Sequence, residues 1–125
     1  MSTVFVSQET LKKNHTTGYM QQMPSLAPAE EFGEVQVLLG FSEALDMGDV
    51  KMLWTLRERL AMFSDSDYIL PLGSPTVMAL TVALAAEINH GRVKILQWDR
   101  ETSRYIVREF DLHAQPTQEM ENVGR

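Results

Sequence analysis

The chain has 125 residues, no cysteine, 44% hydrophobic residues and a net charge of −6. That length fits one domain with a core that needs no covalent staples, and the missing cysteine excludes disulfides, thiolate metal ligands and cysteine nucleophiles. The first fifteen residues lack an apolar run with a small-residue cleavage site, and the longest apolar run, at 77–86, is half of the about 20 residues that a span needs. Neither a signal peptide nor a transmembrane helix is expected.

In chain order, residues 3–6 (TVFV) read as a first strand, β-branched and aromatic. Residues 10–23 read as a loose hairpin turning at Asn14–Gly18, with Gly18 suited to positive φ. Residues 24–33 read as a loop with a helical turn, punctuated by Pro28 and Gly33 and capped by Ser25. Residues 34–39 (EVQVLL) read as a second main strand. Asp49 is placed to cap a helix over 50–63, whose apolar positions Val50, Leu53, Leu56, Leu60 and Phe63 recur at spacings of three and four. Trp54 lies beside that stripe, and the short polar run 64–67 breaks the helix.

Residues 68–72 form a short strand that contains Pro71. Proline donates nothing to a ladder, so this strand is expected at an edge or to be short. Ser74 and Pro75 then supply an N-cap and a first helical residue. The helix expected over 75–89 carries Glu87 as its one charge, so nearly all of its surface is expected to be buried. Asn89-His90-Gly91 ends it, with Gly91 left-handed.

Residues 92–98 and 105–112 read as antiparallel partners. Pairing positions whose numbers sum to 203 sets Arg92 opposite Asp111, Lys94 opposite Glu109, Leu96 opposite Val107 and Trp98 opposite Tyr105. Each such pair is favourable by a few tenths of a kcal/mol to about 1 kcal/mol. Residues 99–104 become the loop. The strand, apolar helix, strand order across 68–98 suggests a right-handed parallel crossover. Residues 113–125 lack periodicity and read as a flexible tail. The expected fold is one α+β domain over 1–112, a small mostly antiparallel sheet packed against two helices.

Charge is uneven. Residues 28–70 carry nine acids against three bases, whereas 71–112 balance at five each. Arg92, Lys94, Arg100, Arg104 and Arg108 interleave with Trp98 and Tyr105, a pattern that serves nucleic-acid binding, but Glu87, Asp99, Glu101, Glu109 and Asp111 cancel the field. Nucleic acid is therefore not the expected partner. The acidic middle reads first as a solvated helix face and second as a surface for a basic partner.

The strongest ligand candidate is Gly73, Ser74 and Thr76, where a strand enters a helix through glycine and free amides meet the positive helix end. Neither G-x-x-x-x-G-K-S/T nor G-x-G-x-x-G is present, and Pro75 removes one donor, so an ordinary Ser-Pro helix start is the simpler account. Asp65-Ser66-Asp67 opens like a calcium loop, but Leu70 stands where glycine is needed and Thr76 where glutamate is needed. His15, His90 and His113 lack ligand spacing. Ser74 is outside G-x-S-x-G, and Glu87, Asp99 and Glu109 stand alone, so no catalytic residue, metal ligand or cofactor is assigned.

The strings TVFVSQETLKK, SLAPAEEFGEVQVLL and DYILPLGSPTVMALTVALAAEINHGRVKILQWDRETSRYIVREFDL resemble small uncharacterised accessory proteins of tailed bacteriophages, from about Val4 to Leu112. The resemblance implies the cytoplasm of an infected bacterium and an accessory role, and carries no functional residue with it.

The leading expectation is a non-enzymatic interaction protein that binds and modulates a host protein through Trp54, Trp98, Arg100 and Tyr105, aromatic side chains beside charged ones. A homodimer is also expected, because two helices leave much of the apolar helix to cover in so small a chain. A small anionic-ligand binder or enzyme (nucleotide or phosphate) using the Gly73–Thr76 helix start is the alternative, and a minor virion component is the third reading.

Overall fold

The computed structural model describes residues 1–116. The strands and α-helices run β1 (Thr3–Gln8), β2 (Leu11–Lys13), β3 (Met20–Gln22), β4 (Glu34–Leu39), α1 (Asp49–Arg59), β5 (Tyr68–Leu70), α2 (Pro75–Ile88), β6 (Arg92–Asp99) and β7 (Arg104–Asp111). A 3-10 segment, Ala27–Phe32, precedes β4, and a single turn, Ala44–Asp46, follows it.

Five strands form one sheet in the order β4-β1-β5-β6-β7, while β2 and β3 pair apart from it as the expected hairpin. The sheet is not mostly antiparallel. β1 runs parallel to both β4 and β5, and β5 runs parallel to β6; β7 alone is antiparallel. The physical reason is connection length. Each step β1–β4, β4–β5 and β5–β6 passes through a long segment, two of them helical, and such segments return the chain to the same end of the sheet. The strand, apolar helix, strand unit is parallel as expected, with Ile69 opposite Ile95. The β6–β7 ladder has the expected register throughout, from Arg92–Asp111 to Trp98–Tyr105, and extends one pair further, to Asp99–Arg104.

The first strand continues past Val6 to Gln8, and its last two residues, Ser7 and Gln8, are buried. β5 is short, ending before Pro71, yet it sits at the centre of the sheet rather than at an edge. α1 begins with Asp49 inside the helix, after Gly48, and stops at Arg59. Its stripe is therefore shorter than expected: Leu56, Leu60 and Phe63 are buried, but Val50, in the first turn, is 71% exposed. Ser74 caps α2, its Oγ accepting from the Val77 amide at 3.2 Å, and Gly91 has φ +88 beyond its end.

α2 is covered on one side rather than nearly all round. Val77, Thr81, Leu84, Ala85 and Ala86 are buried, whereas Thr76, Ala79, Ala83 and Glu87 form an exposed strip. Its alanines lie partly outward, so the helix buries less surface than its composition promises. α1 and α2 share one face of the sheet, with Phe5, Leu38, Ile69 and Val93 beneath them. The other face carries Val4, Val6, Leu70, Leu96 and Tyr105, covered by Leu26, Ala29 and Phe32 of the 3-10 segment and its approach.

Residues 113–116 follow β7 as exposed chain. The rest of the expected flexible tail, 117–125, lies outside the described residues.

Candidate functional site

One helical turn and its flanks cannot cover a five-stranded face. Beyond the 3-10 segment a groove of about 680 Å³ opens, walled by Pro24, Pro28, Pro71, Leu72, Trp98 and Tyr105, with Leu70, Ile95 and Leu96 also contributing. Pro71, Leu72 and Trp98 lie at the carboxyl ends of β5 and β6, Tyr105 lies near the start of β7, and Pro24 and Pro28 belong to the chain entering the 3-10 segment and to its first turn. Most of these side chains are apolar, and the volume is that of a ligand pocket.

Trp98 and Tyr105 face each other across β6–β7 and meet edge to face, with ring centroids 5.0 Å apart and planes at 76°. Trp98 is 43% exposed and presents its remaining surface to solvent. Tyr105 is 6% exposed, and its hydroxyl opens to solvent at the groove. Burial pushes its phenol above the ordinary value, so it stays a neutral donor and acceptor at the groove wall.

The Gly73–Thr76 turn stands at a different point. In the order β4-β1-β5-β6, the chain moves outward from β1 to β4 and then returns to the other side of β1. The crevice between the carboxyl ends of β1 and β5 is the switch point where open parallel sheets hold ligands. Here the chain fills it with its own side chains. The Leu72 amide donates to Ser7 Oγ at 2.7 Å, and the Ser74 amide donates to Gln8 Oε1 at 2.9 Å. The Ser7 hydroxyl donates in turn to the Leu72 carbonyl. The Val77 amide is held by Ser74 Oγ, and Pro75 has none, which leaves Gly73 and Thr76 as donors. Gly73, at φ +99, lies so close to Gln8 that an added Cβ would come within 2.6 Å of the Gln8 Cβ.

Residues 2–112 match the Phage Pam3 gp32-like protein family. The chain belongs to that family. No curated protein and no solved structure matches it. The resemblance to small phage proteins expected from 4–112 is thereby established over almost the same residues.

The four expected interface residues do not converge. Trp98 and Tyr105 share the groove face, and Arg100 is exposed in the turn that follows β6. Asp99 anchors that turn, accepting from the Thr102 hydroxyl at 2.6 Å and the Glu101 amide at 3.2 Å; the Thr102 bond first, then these backbone donors, hold its carboxyl below the usual range. Trp54 is on α1, across the sheet from the groove, 59% exposed and stacked against the Arg57 guanidinium at 4.9 Å. Arg57 covers part of one ring face, and most of the side chain remains open to solvent.

Asp65 and Asp67 serve separate partners. Asp65 accepts from Arg92 and Asn89, which together hold its carboxyl below the usual range. Asp67, buried, accepts from the amides of Thr3 and Ser64 and so ties β1 to the loop before β5. Among the described residues, no helix is long and apolar enough to cross a membrane.

Sequence reasoning missed Ser7 and Gln8, and it missed Pro24, Pro28 and Leu72 as walls. The first two carried a signal. Two polar residues closing an apolar strand, TVFVSQ, mark a strand end that is buried and must find partners. The groove walls carried none, since they come from segments far apart in the chain.

Proposed function

We propose that this phage protein is a non-enzymatic interaction protein that works in the cytoplasm of the infected host, through the groove beside Trp98 and Tyr105. The observation that carries the reading is an apolar groove edged by an exposed tryptophan and a nearly buried tyrosine whose hydroxyl opens to solvent. Interfaces draw much of their energy from such aromatic anchors in desolvated pockets. The occupant that fits is a protein segment offering an apolar or aromatic side chain, with a polar group to meet the Tyr105 hydroxyl. Arg100, in the adjoining turn, supports binding where that segment is acidic. We read 1–112 as the single domain that presents this surface.

The test is affinity capture from host lysate with the full chain and with Trp98→Ala. Trp98 is partly exposed, so the variant is expected to keep the wild-type circular dichroism spectrum and lose the captured protein. A variant that captures the same proteins as the wild type removes the groove from the interface.

A second reading, an anionic ligand at Gly73, Ser74 and Thr76, is supported by the amides of Gly73 and Thr76. The engagement of the Leu72, Ser74 and Val77 amides weighs against it. Ligand at 100 times its dissociation constant stabilises a protein by about 2.7 kcal/mol, so a thermal-shift screen with nucleotides and phosphorylated metabolites decides it. The expected outcome is no shift. Mass spectrometry of purified particles tests the third reading, a minor virion component.

A further inference from the structure

Resting on the reading of the groove as an interface, we infer that the β2–β3 hairpin is its second arm, and that the occupant is a protein segment with acidic residues beside the apolar side chain that enters the groove. β1, β5 and β6 run parallel, so their carboxyl ends share one end of the sheet. The groove opens there, beside Pro71, Leu72 and Trp98. The hairpin leaves the same end, after Glu9 and Thr10, and its second strand leads through Met23 into the groove wall at Pro24 and Ser25.

The hairpin is ordered without being buried. None of residues 11–23 joins either core, and Lys12, Lys13, Tyr19, Met20 and Met23 are exposed. A free two-stranded ribbon is marginal in water, and side chains clasp this one at both ends. At the base, the Thr10 amide donates to Gln22 Oε1 at 3.0 Å, and Gln22 Nε2 donates to Thr10 Oγ1 at 2.6 Å. At the tip, Asn14 Oδ1 accepts from the Thr16 and Thr17 amides at 2.8 and 3.1 Å. The ladder extends to Thr10–Met23 and Asn14–Tyr19. Alternation then puts Lys12 with Tyr19 and Met23 on one face and Lys13 with Met20 on the other. Each face offers a cation beside apolar surface, and an arm already held in one shape loses little conformational entropy on docking.

Charge selects the partner. Residues 10–29 carry Lys12 and Lys13 and no acid, in a chain of net charge −6. Neither lysine forms an ion pair among the described residues, whereas Arg57, Arg59, Arg92 and Arg104 each meet a carboxylate. Glu9, at the root of the hairpin, accepts from the Phe41 amide at 3.1 Å, on the β4 side. Glu43 and Asp46 follow β4 on that side, and β4 and the groove lie on opposite sides of β1. Among the described residues the groove walls hold no charge. An acidic segment is therefore drawn to the hairpin and repelled from the β4 side, which brings its apolar neighbour to the groove. At the far flank Arg104 is paired with Glu31 at 3.8 Å and Arg100 precedes Glu101, so the hairpin lysines supply the pull. Two lysines in an acidic chain give nucleic acid too little to hold.

The test selects short random peptides from a displayed library with the full chain. The enriched peptides are expected to join a large apolar residue to neighbouring aspartate or glutamate. Their affinity, read by fluorescence anisotropy of labelled copies, is expected to fall about tenfold at low salt in a Lys12→Glu, Lys13→Glu double variant. A Lys12→Gln, Lys13→Gln variant is expected to lose less. High salt closes both gaps, and the circular dichroism spectra stay as in the wild type. Trp98→Ala is expected to lose the peptides at every salt concentration. Enriched peptides that need Trp98 but are neutral or basic overturn the inference and leave the groove an interface. So do acidic peptides indifferent to both lysines. Peptides indifferent to Trp98→Ala, or a library with none enriched, remove the groove and the inference with it. Binding of oligodeoxythymidylate that the lysine variants abolish overturns the inference by assigning the hairpin to nucleic acid.

Discussion

The two faces of the sheet are finished to different degrees. On one, α1 and α2 lay Leu56, Leu60, Val77 and Leu84 over Phe5, Ile69 and Val93, and the clefts left there, beside Phe5 and beside Val93, are smaller, at about 310 and 170 Å³. On the other, one 3-10 segment lays Leu26, Ala29 and Phe32 over Val4, Val6 and Tyr68, with Phe32 and Tyr68 meeting at 5.5 Å, and a groove is left open at the strand ends. The two edges differ in the same way: Arg59 binds the Leu38 carbonyl at one, and among the described residues no strand pairs with the outer side of the other. Stability is concentrated under the helices, and the surfaces available for binding lie where helices are missing.

The comparison can be broken most forcefully at Leu60. It is fully buried under the helical face, and Leu60→Ala is expected to cost about 2–5 kcal/mol, read as a lower urea midpoint with an unchanged slope. If Trp98→Ala on the other face proves equally costly, the distinction between the faces fails. Gly73→Ala comes next. A left-handed backbone at φ +99 and the close Gln8 side chain give an expected loss of about 1–3 kcal/mol, and a neutral melt would show that the β1–β5 crevice has slack.

Thr81 sharpens the picture in the opposite direction. Its hydroxyl is fully buried in α2 and has no hydrogen-bond partner among the described residues. An unsatisfied buried hydroxyl costs about 1–3 kcal/mol, so Thr81→Val is expected to raise the unfolding midpoint, by about 1 kcal/mol once imperfect packing is allowed for. A drop would mean that the hydroxyl is satisfied in solution.

The smallest effect belongs to the held edge. Arg59 grips both oxygens of Glu43 at 2.8 Å, and the Gly40 amide adds a third bond. Those contacts, Arg59 first, lower the Glu43 carboxyl from 4.5 to about 2. A lowered acid stabilises the fold above its unfolded value and loses that contribution as pH falls through its folded value. The melting temperature is therefore expected to decline between pH 4.5 and about 2, with a shallower decline in Glu43→Gln. Both partners are partly exposed, so the difference is expected to be small. Parallel profiles for the two chains would detach Arg59 and Glu43 from stability.

What could be read in advance was local. Ser74, Pro75 and Gly91 mark α2 within a few residues of its ends, and the alternating charges of β6 and β7 fix their register because the strands are joined by a short turn. The parallel order was hidden. β5 has three residues, and its partners lie dozens of positions away, so no nearby pattern records that β1 takes the place between β4 and β5. Val50 misled because apolar spacing continues into a helix turn that faces water. Of the candidate site, Trp98 and Tyr105 were visible as a cross-strand pair, but the proline walls opposite them required the completed fold.

The amide of Gln8 occupies the seat that a cofactor would take in a larger sheet of this connectivity. A small phage protein built this way fills that crevice with its own side chain. Trimming that residue to alanine would vacate the seat and hand one backbone donor, the Ser74 amide, back to the solvent.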